Sequence, residues 1–106
     1  KFQQAAIQNK AGNYVKANGE TSAAGLAQIK LDSKLRGTDA NPAGANAFPI
    51  VSLTWILAEP GHKTDSVKPA LRYMLSEEAQ SASDSLGYVP LPESLRQKSL
   101  AAVESL

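Results

Sequence analysis

Cysteine is absent from this chain of 106 residues. That excludes both a disulfide framework and a thiolate metal site. A single histidine, His62, leaves no convergent set of ligands for a metal ion. An excess of one charge is missing too: eleven Lys and Arg stand against ten Asp and Glu, for a net charge of +1. The basic residues are scattered rather than clustered, so no nucleic-acid partner is expected. Long apolar runs are also lacking. The longest, Phe48 to Ala58, is broken by Pro49, Ser52 and Thr54 and is too short to span a bilayer. There are no internal repeats and no low-complexity tracts.

What is present is ordinary globular material, 42% hydrophobic and 20% charged. The length suits one domain or one large fragment, and a compact fold of this mass would bury about 65% of the unfolded surface. The chain opens Lys1-Phe2-Gln3-Gln4-Ala5-Ala6-Ile7, with neither Met nor a secretory n-region. This carries the expectation that it belongs to something larger.

Phe2 to Gln8 and Tyr14 to Lys16 flank Asn9-Lys10-Ala11-Gly12-Asn13, a pattern that predicts a hairpin. Asn18 to Ser22 offers N-caps for a helix through about Ile29, weakened by Gly25. Asp32 to Asn46, with Gly37, Pro42 and Gly44, reads as a long loop. Phe48 to Leu57 is the strongest strand signal, apolar on both faces as in a sheet covered on each side. Pro49 belongs at its first residues, because it cannot donate to a ladder. After a turn at Glu59 to Lys63, a helix is predicted from about Ser66 to Leu75 with Asp65 as N-cap. Pro69 would lie in its first turn and Val67, Leu71, Met74 and Leu75 would form its buried stripe. Ser76 caps a further short helix through Leu86, closed by Gly87 in a left-handed conformation. Pro92 opens a last helix with Leu95, Ser99, Ala102, Val103 and Leu106 on one face. So few companions for a doubly apolar strand point to a missing partner segment.

Candidate chemistry is sparse. His62, Asp65 and Ser66 are near one another in sequence, but local proximity is not triad geometry, and a solvated turn histidine is the better reading. Glu77 and Glu78, adjacent on a helix, point about 100° apart and suit capping rather than acid/base work. Gly12, Gly25, Gly37 and Gly44 fit no dinucleotide or phosphate-loop spacing. Phe48, Trp55 and Tyr73 read as core, and Ser52 and Thr54 as residues that satisfy one another. Helix N-termini near Thr21, Asp65 and Ser76 could receive an oxyanion, yet the acidic residues at or beside two of them repel a dianion. No nucleophile, base and orienting group can be assembled, so the chain does not read as an enzyme.

Four stretches carry a family likeness. They are Asn9 to Val15, Asn41 to Leu57 (NPAGANAFPIVSLTWIL), Tyr73 to Gln80 (YMLSEEAQ), and Leu86 to Pro92 (LGYVPLP) with Arg96-Gln97-Lys98 after it. In order and with compatible spacing, they resemble the C-terminal portion of the PstS family, the periplasmic phosphate receptors of ABC importers.

That resemblance implies an α/β chain, part of a type II periplasmic binding fold in which two α/β lobes are joined by crossing hinge strands. On this mapping, residues 1–46 belong to the second lobe and lead to the hinge. Residues 47–106 form the crossing strand and the C-terminal helices packed on the first lobe. In the family, phosphate is held by backbone N–H groups, Ser/Thr hydroxyls, an Arg and an Asp acceptor, in motifs that lie upstream of this chain. No ligand-binding residue transfers onto these positions, and neither a metal nor another cofactor is expected. The implied partners are inorganic phosphate in the whole protein, the membrane permease and the remaining N-terminal polypeptide. The alternatives are a receptor for sulfate or molybdate, or a freestanding interaction module that has lost anion binding.

Overall fold

Residues 2–106 are described by the computed structural model, and they fall into two compact units, one ending at Leu53 and the other running from Thr54 to Leu106. Among the described residues no helix is long and apolar enough to cross a membrane. The architecture of the described residues is mixed: four α-helices with one small sheet, compatible with a piece of an α/β protein.

In the first unit the expected hairpin forms. β1 (Ile7–Gln8) pairs antiparallel with β2 (Tyr14–Val15), Ile7 opposite Val15 and Gln8 opposite Tyr14. Asn9 makes the reversal. Its backbone N–H donates to the Asn13 carbonyl at 2.8 Å, and Gly12 takes the positive φ of 88° that the turn requires. α1 (Gly19–Leu26) follows, and its first turn is closed by a capping box: Thr21 N donates to Asn18 Oδ1 at 2.8 Å, and Asn18 N donates to Thr21 Oγ1 at 3.1 Å. Leu26, Ile29, Val15 and Ala47 are buried together with Pro42 and Pro49 and form this unit's core.

Gly25 has a role that its poor helix propensity conceals. A Cβ there would lie 2.7 Å from the Phe48 carbonyl oxygen and 3.1 Å from Val51 Cγ2. The missing side chain is what lets residues 48–51 lie against α1, where Phe48 N donates to the Thr21 carbonyl at 2.9 Å. The long loop is tied locally. Asp32 Oδ1 accepts the N–H groups of Lys34 and Arg36, and Oδ2 accepts Arg36 Nε and Nη2 at 2.9 and 2.8 Å. These bonds, led by the Arg36 backbone N–H, hold the Asp32 carboxyl below its usual pKa range.

In the second unit, α2 (Thr64–Met74) begins two residues earlier than expected. Gly61 and Lys63 both adopt left-handed backbone, so the chain turns into the helix at Thr64, and Lys63 rather than Asp65 occupies the N-cap. Pro69 therefore lies in the second turn, where its missing N–H removes the bond that the Asp65 carbonyl would have accepted. The predicted apolar stripe is only half-covered: Val67, Leu71 and Leu75 are partly buried and Met74 is exposed. α3 (Glu77–Ser83) starts as expected, with Ala79 N donating to Ser76 Oγ. A 3₁₀ turn at Asp84–Leu86 then ends at Gly87, φ 81°. α4 (Glu93–Glu104) enters from Pro92, which stands at the N-cap, and buries Leu95 and Val103.

Polar clamps join these helices. Arg72 makes two hydrogen bonds to the Glu104 carboxylate, at 2.6 and 2.5 Å, and Lys68 Nζ donates to the Glu104 carbonyl at 2.8 Å. Arg96 is largely buried. It donates two bonds to Glu93 and one to the Leu75 carbonyl, which caps the end of α2.

The expected strand from Phe48 to Leu57 does not form. The one ladder among the described residues joins β1 and β2, and residues 48–57 lie outside it. A strand is stabilised by main-chain bonds to a neighbour, and propensity cannot replace that neighbour. The expectation that Phe48 and Trp55 lie in a doubly covered sheet core fails for the same reason.

Candidate functional site

Among the described residues, His62, Asp65 and Ser66 are not brought together. His62 is exposed in the Glu59–Lys63 turn, its N–H donating to the Glu59 carbonyl, and Ser66 Oγ donates to the Lys63 carbonyl. No hydrogen bond among the described residues links His62, Asp65 and Ser66. Glu77 and Glu78 are exposed in the first turn of α3, where acidic groups complement the helix dipole. Glu77 lies 3.7 Å from Arg96, and the two glutamates form no shared site. Among the described residues no group of His, Asp and Glu could hold a metal ion.

The helix N-termini are equally unsuited to an anion. That of α1 is filled by its own capping box, and Glu20 stands in the first turn. α2 carries Asp65 in its first turn, and α3 carries two glutamates. Each of these carboxylates opposes a dianion.

The feature that stands out is apolar surface. In the first unit, residues 49–53 alternate: Pro49 is buried, Val51 and Leu53 are half-covered, and Ile50 and Ser52 face outward. Ile50 is 69% exposed. This is the two-residue period of a strand with one face seated and the other bare. In the second unit, Thr54, Trp55, Ile56 and Leu57 are all exposed, Leu57 almost completely at 97%. The same unit also leaves Tyr73, Met74, Leu86 and Tyr88 exposed, a large apolar share for so small a body. Tyr73, expected in the core, is part of this surface. Ser52 and Thr54 do not satisfy each other as expected, since Ser52 Oγ donates instead to the Leu53 carbonyl.

Sequence reasoning missed one residue of consequence. Asn9 is 5% exposed. Its Nδ2 donates to the carbonyls of Gly44, Ala45 and Ala47 at 3.2, 2.8 and 3.2 Å, while its Oδ1 accepts the N–H groups of Ala11 and Asn13. One amide thus fastens the hairpin turn to the loop that leads into Phe48. The only signal in the sequence was an asparagine at a turn, and that reads as local chemistry.

No protein-family model matches this chain. It is 29% identical, over 118 aligned residues, to the phosphate-binding protein PstS of Methanocaldococcus jannaschii, an alignment that takes in 96% of this chain and 30% of the archaeal protein. The likeness supports a distant PstS-like relationship. That relative is a phosphate-binding protein, and this chain spans less than a third of its length.

Proposed function

We propose that this chain is the C-terminal portion of a periplasmic inorganic-phosphate receptor of PstS type, which delivers phosphate to an ABC importer. On this reading residues 1–46 belong to the second lobe of a type II periplasmic binding fold, and residues 47–106 supply a crossing strand and helices of the first. The phosphate ligands come from polypeptide outside this chain, and the chain's own contribution is scaffold and hinge.

The observation that carries the reading is the apolar run Phe48 to Leu57, which has strand composition, strand periodicity over its first half and no strand beside it. The alignment to 30% of a phosphate-binding protein supports it by leaving ample polypeptide to supply that neighbour. Calorimetry tests it directly. The 106-residue chain alone takes up no inorganic phosphate, and binding emerges when the upstream polypeptide is supplied in cis or in trans. Saturable binding of phosphate by the chain alone would place the ligands within it and overturn the proposal. A complemented receptor that took sulfate and ignored phosphate would do so equally.

A further inference from the structure

The chain contains five asparagines, at positions 9, 13, 18, 41 and 46. An asparagine amide is lost spontaneously when the backbone nitrogen of the next residue attacks the side-chain carbonyl carbon. That attack needs an available N–H, a small following residue and a side chain free to turn.

Four of the five lack one of these conditions. Asn9 is buried with both ends of its amide bonded. Asn13 Nδ2 donates to the Ala45 carbonyl, and the next residue is the bulky Tyr14 in β2. Asn41 precedes Pro42, which has no N–H. Asn46 precedes the buried Ala47, whose N–H donates to the Gly44 carbonyl.

Asn18 meets the first two, and only its cap limits the third. It is exposed, and Gly19 has no side chain to hinder approach. Gly19 is also the first residue of α1, so its N–H is among the donors that a helix start leaves without an intrahelical partner. No hydrogen bond from Gly19 N, or from Asn18 Nδ2, occurs among the described residues. What restrains the reaction is the cap: Thr21 N donates to Asn18 Oδ1 at 2.8 Å and holds the side chain toward the helix, while the Thr21 hydroxyl accepts Asn18 N at 3.1 Å and donates to the Lys16 carbonyl at 2.6 Å.

We propose that Asn18 is a site of spontaneous deamidation, gated by opening of the first turn of α1. Gly19 N gives up its proton to a solvent base and bonds to Asn18 Cγ. The Cγ–Nδ2 bond breaks and ammonia leaves, which closes a succinimide ring. Water then opens the ring at one of its two carbonyls. Attack at Cγ yields aspartate, and attack at the main-chain carbonyl yields isoaspartate. Nothing is oxidised or reduced, and each event exchanges one amide for one carboxylate at the cost of one water.

The two products have opposite effects. Aspartate keeps an accepting oxygen at the cap and places negative charge at the positive end of the helix. Isoaspartate routes the main chain through Cγ and removes that oxygen from the cap. Because the Thr21 carbonyl also receives Phe48 N, the isoaspartyl form loosens the anchor of residues 48–51.

Peptide mass mapping of the chain aged in warm, mildly alkaline heavy-oxygen water tests this. Asn18 converts ahead of the other four asparagines, with one solvent oxygen incorporated, and part of the product is labelled by an isoaspartyl methyltransferase. Conversion is about fivefold slower than in a free peptide of the same sequence, the factor by which a typical cap of about 1 kcal/mol closes the first turn. Urea removes that difference, and Gly19→Ala slows conversion in both. Earlier conversion of any other asparagine, or an Asn18 unchanged after the free peptide is exhausted, overturns the assignment. Equal rates with and without urea overturn the gating. Asn18→Asp, which folds with its cap intact, keeps the thermal midpoint of the parent while the isoaspartyl fraction falls below it.

Discussion

Replacing Gly25 by alanine sets two effects of known size against each other. Inside a helix, alanine is favoured over glycine by about 1 kcal/mol. Here the new methyl would sit 2.7 Å from the Phe48 carbonyl oxygen and 3.1 and 3.3 Å from the two Val51 methyls. The carbonyl belongs to the main chain and cannot rotate aside, so residues 48–51 must move off α1. Overpacking of this kind costs about 1–3 kcal/mol. Weakening the bond from Phe48 N to the Thr21 carbonyl adds about 1 kcal/mol more. The balance is destabilisation by roughly 2 kcal/mol, in a body that begins with few kilocalories to lose. Urea titration followed by circular dichroism measures it. With a slope near 1 kcal/mol per molar, suited to so small a unit, the midpoint falls by about 2 M. Ala23→Gly serves as the propensity control for the same helix. A Gly25→Ala protein as stable as the parent, or more so, would refute the reasoning, because it would mean that the close approach of Phe48 and Val51 to α1 does not exist.

Asn9→Asp replaces a buried donor by a carboxylate facing the Gly44, Ala45 and Ala47 carbonyls. A loss of about 3 kcal/mol at neutral pH is expected from chemical denaturation, with part recovered in acid, where the protonated group can donate again. The Arg72 guanidinium beside Glu104 holds that carboxyl below the usual range, so the clamp stabilises fully above the ordinary glutamate pKa of about 4.3 and fades as pH falls through the lower folded value. Thermal melts of Arg72→Gln and parent should therefore differ at neutral pH and converge in acid; an undiminished gap at low pH would count against the clamp. Sedimentation velocity of the isolated chain should show self-association through the region around Ile50 to Leu57, relieved by joint Ile50→Lys and Ile56→Lys substitution. A stable parent monomer over a wide concentration range contradicts this.

Local punctuation was legible from sequence because its physics is local. Ser76 caps α3, Gly87 closes the following turn, and Asn9 to Asn13 reverses the hairpin, each through bonds spanning a few residues. The start of α2 was misplaced because Pro69 tolerates a second-turn position that its chemistry disfavours, and the two left-handed residues before the helix leave only a weak sequence signal. Distant effects stayed hidden. Gly25 looked like a weak spot in a helix, although its purpose lies in residues more than twenty positions away. The three acceptors of Asn9 are 35 to 38 positions away. The run from Phe48 to Leu57 was read correctly for composition and incorrectly for pairing, since pairing depends on a neighbour that composition does not provide. Of a binding site the sequence showed nothing within these residues.

The ring of bonds around Asp32 has a practical use. Its donors, Lys34 and Arg36, lie within four positions of it, so the knob asks nothing of the rest of the polypeptide. A fluorophore on Lys34 should keep one signal whether or not a companion strand arrives, while a second dye on Leu57 changes with the surface it occupies. The molecule thus carries a built-in reference channel against which any change at that exposed surface can be watched.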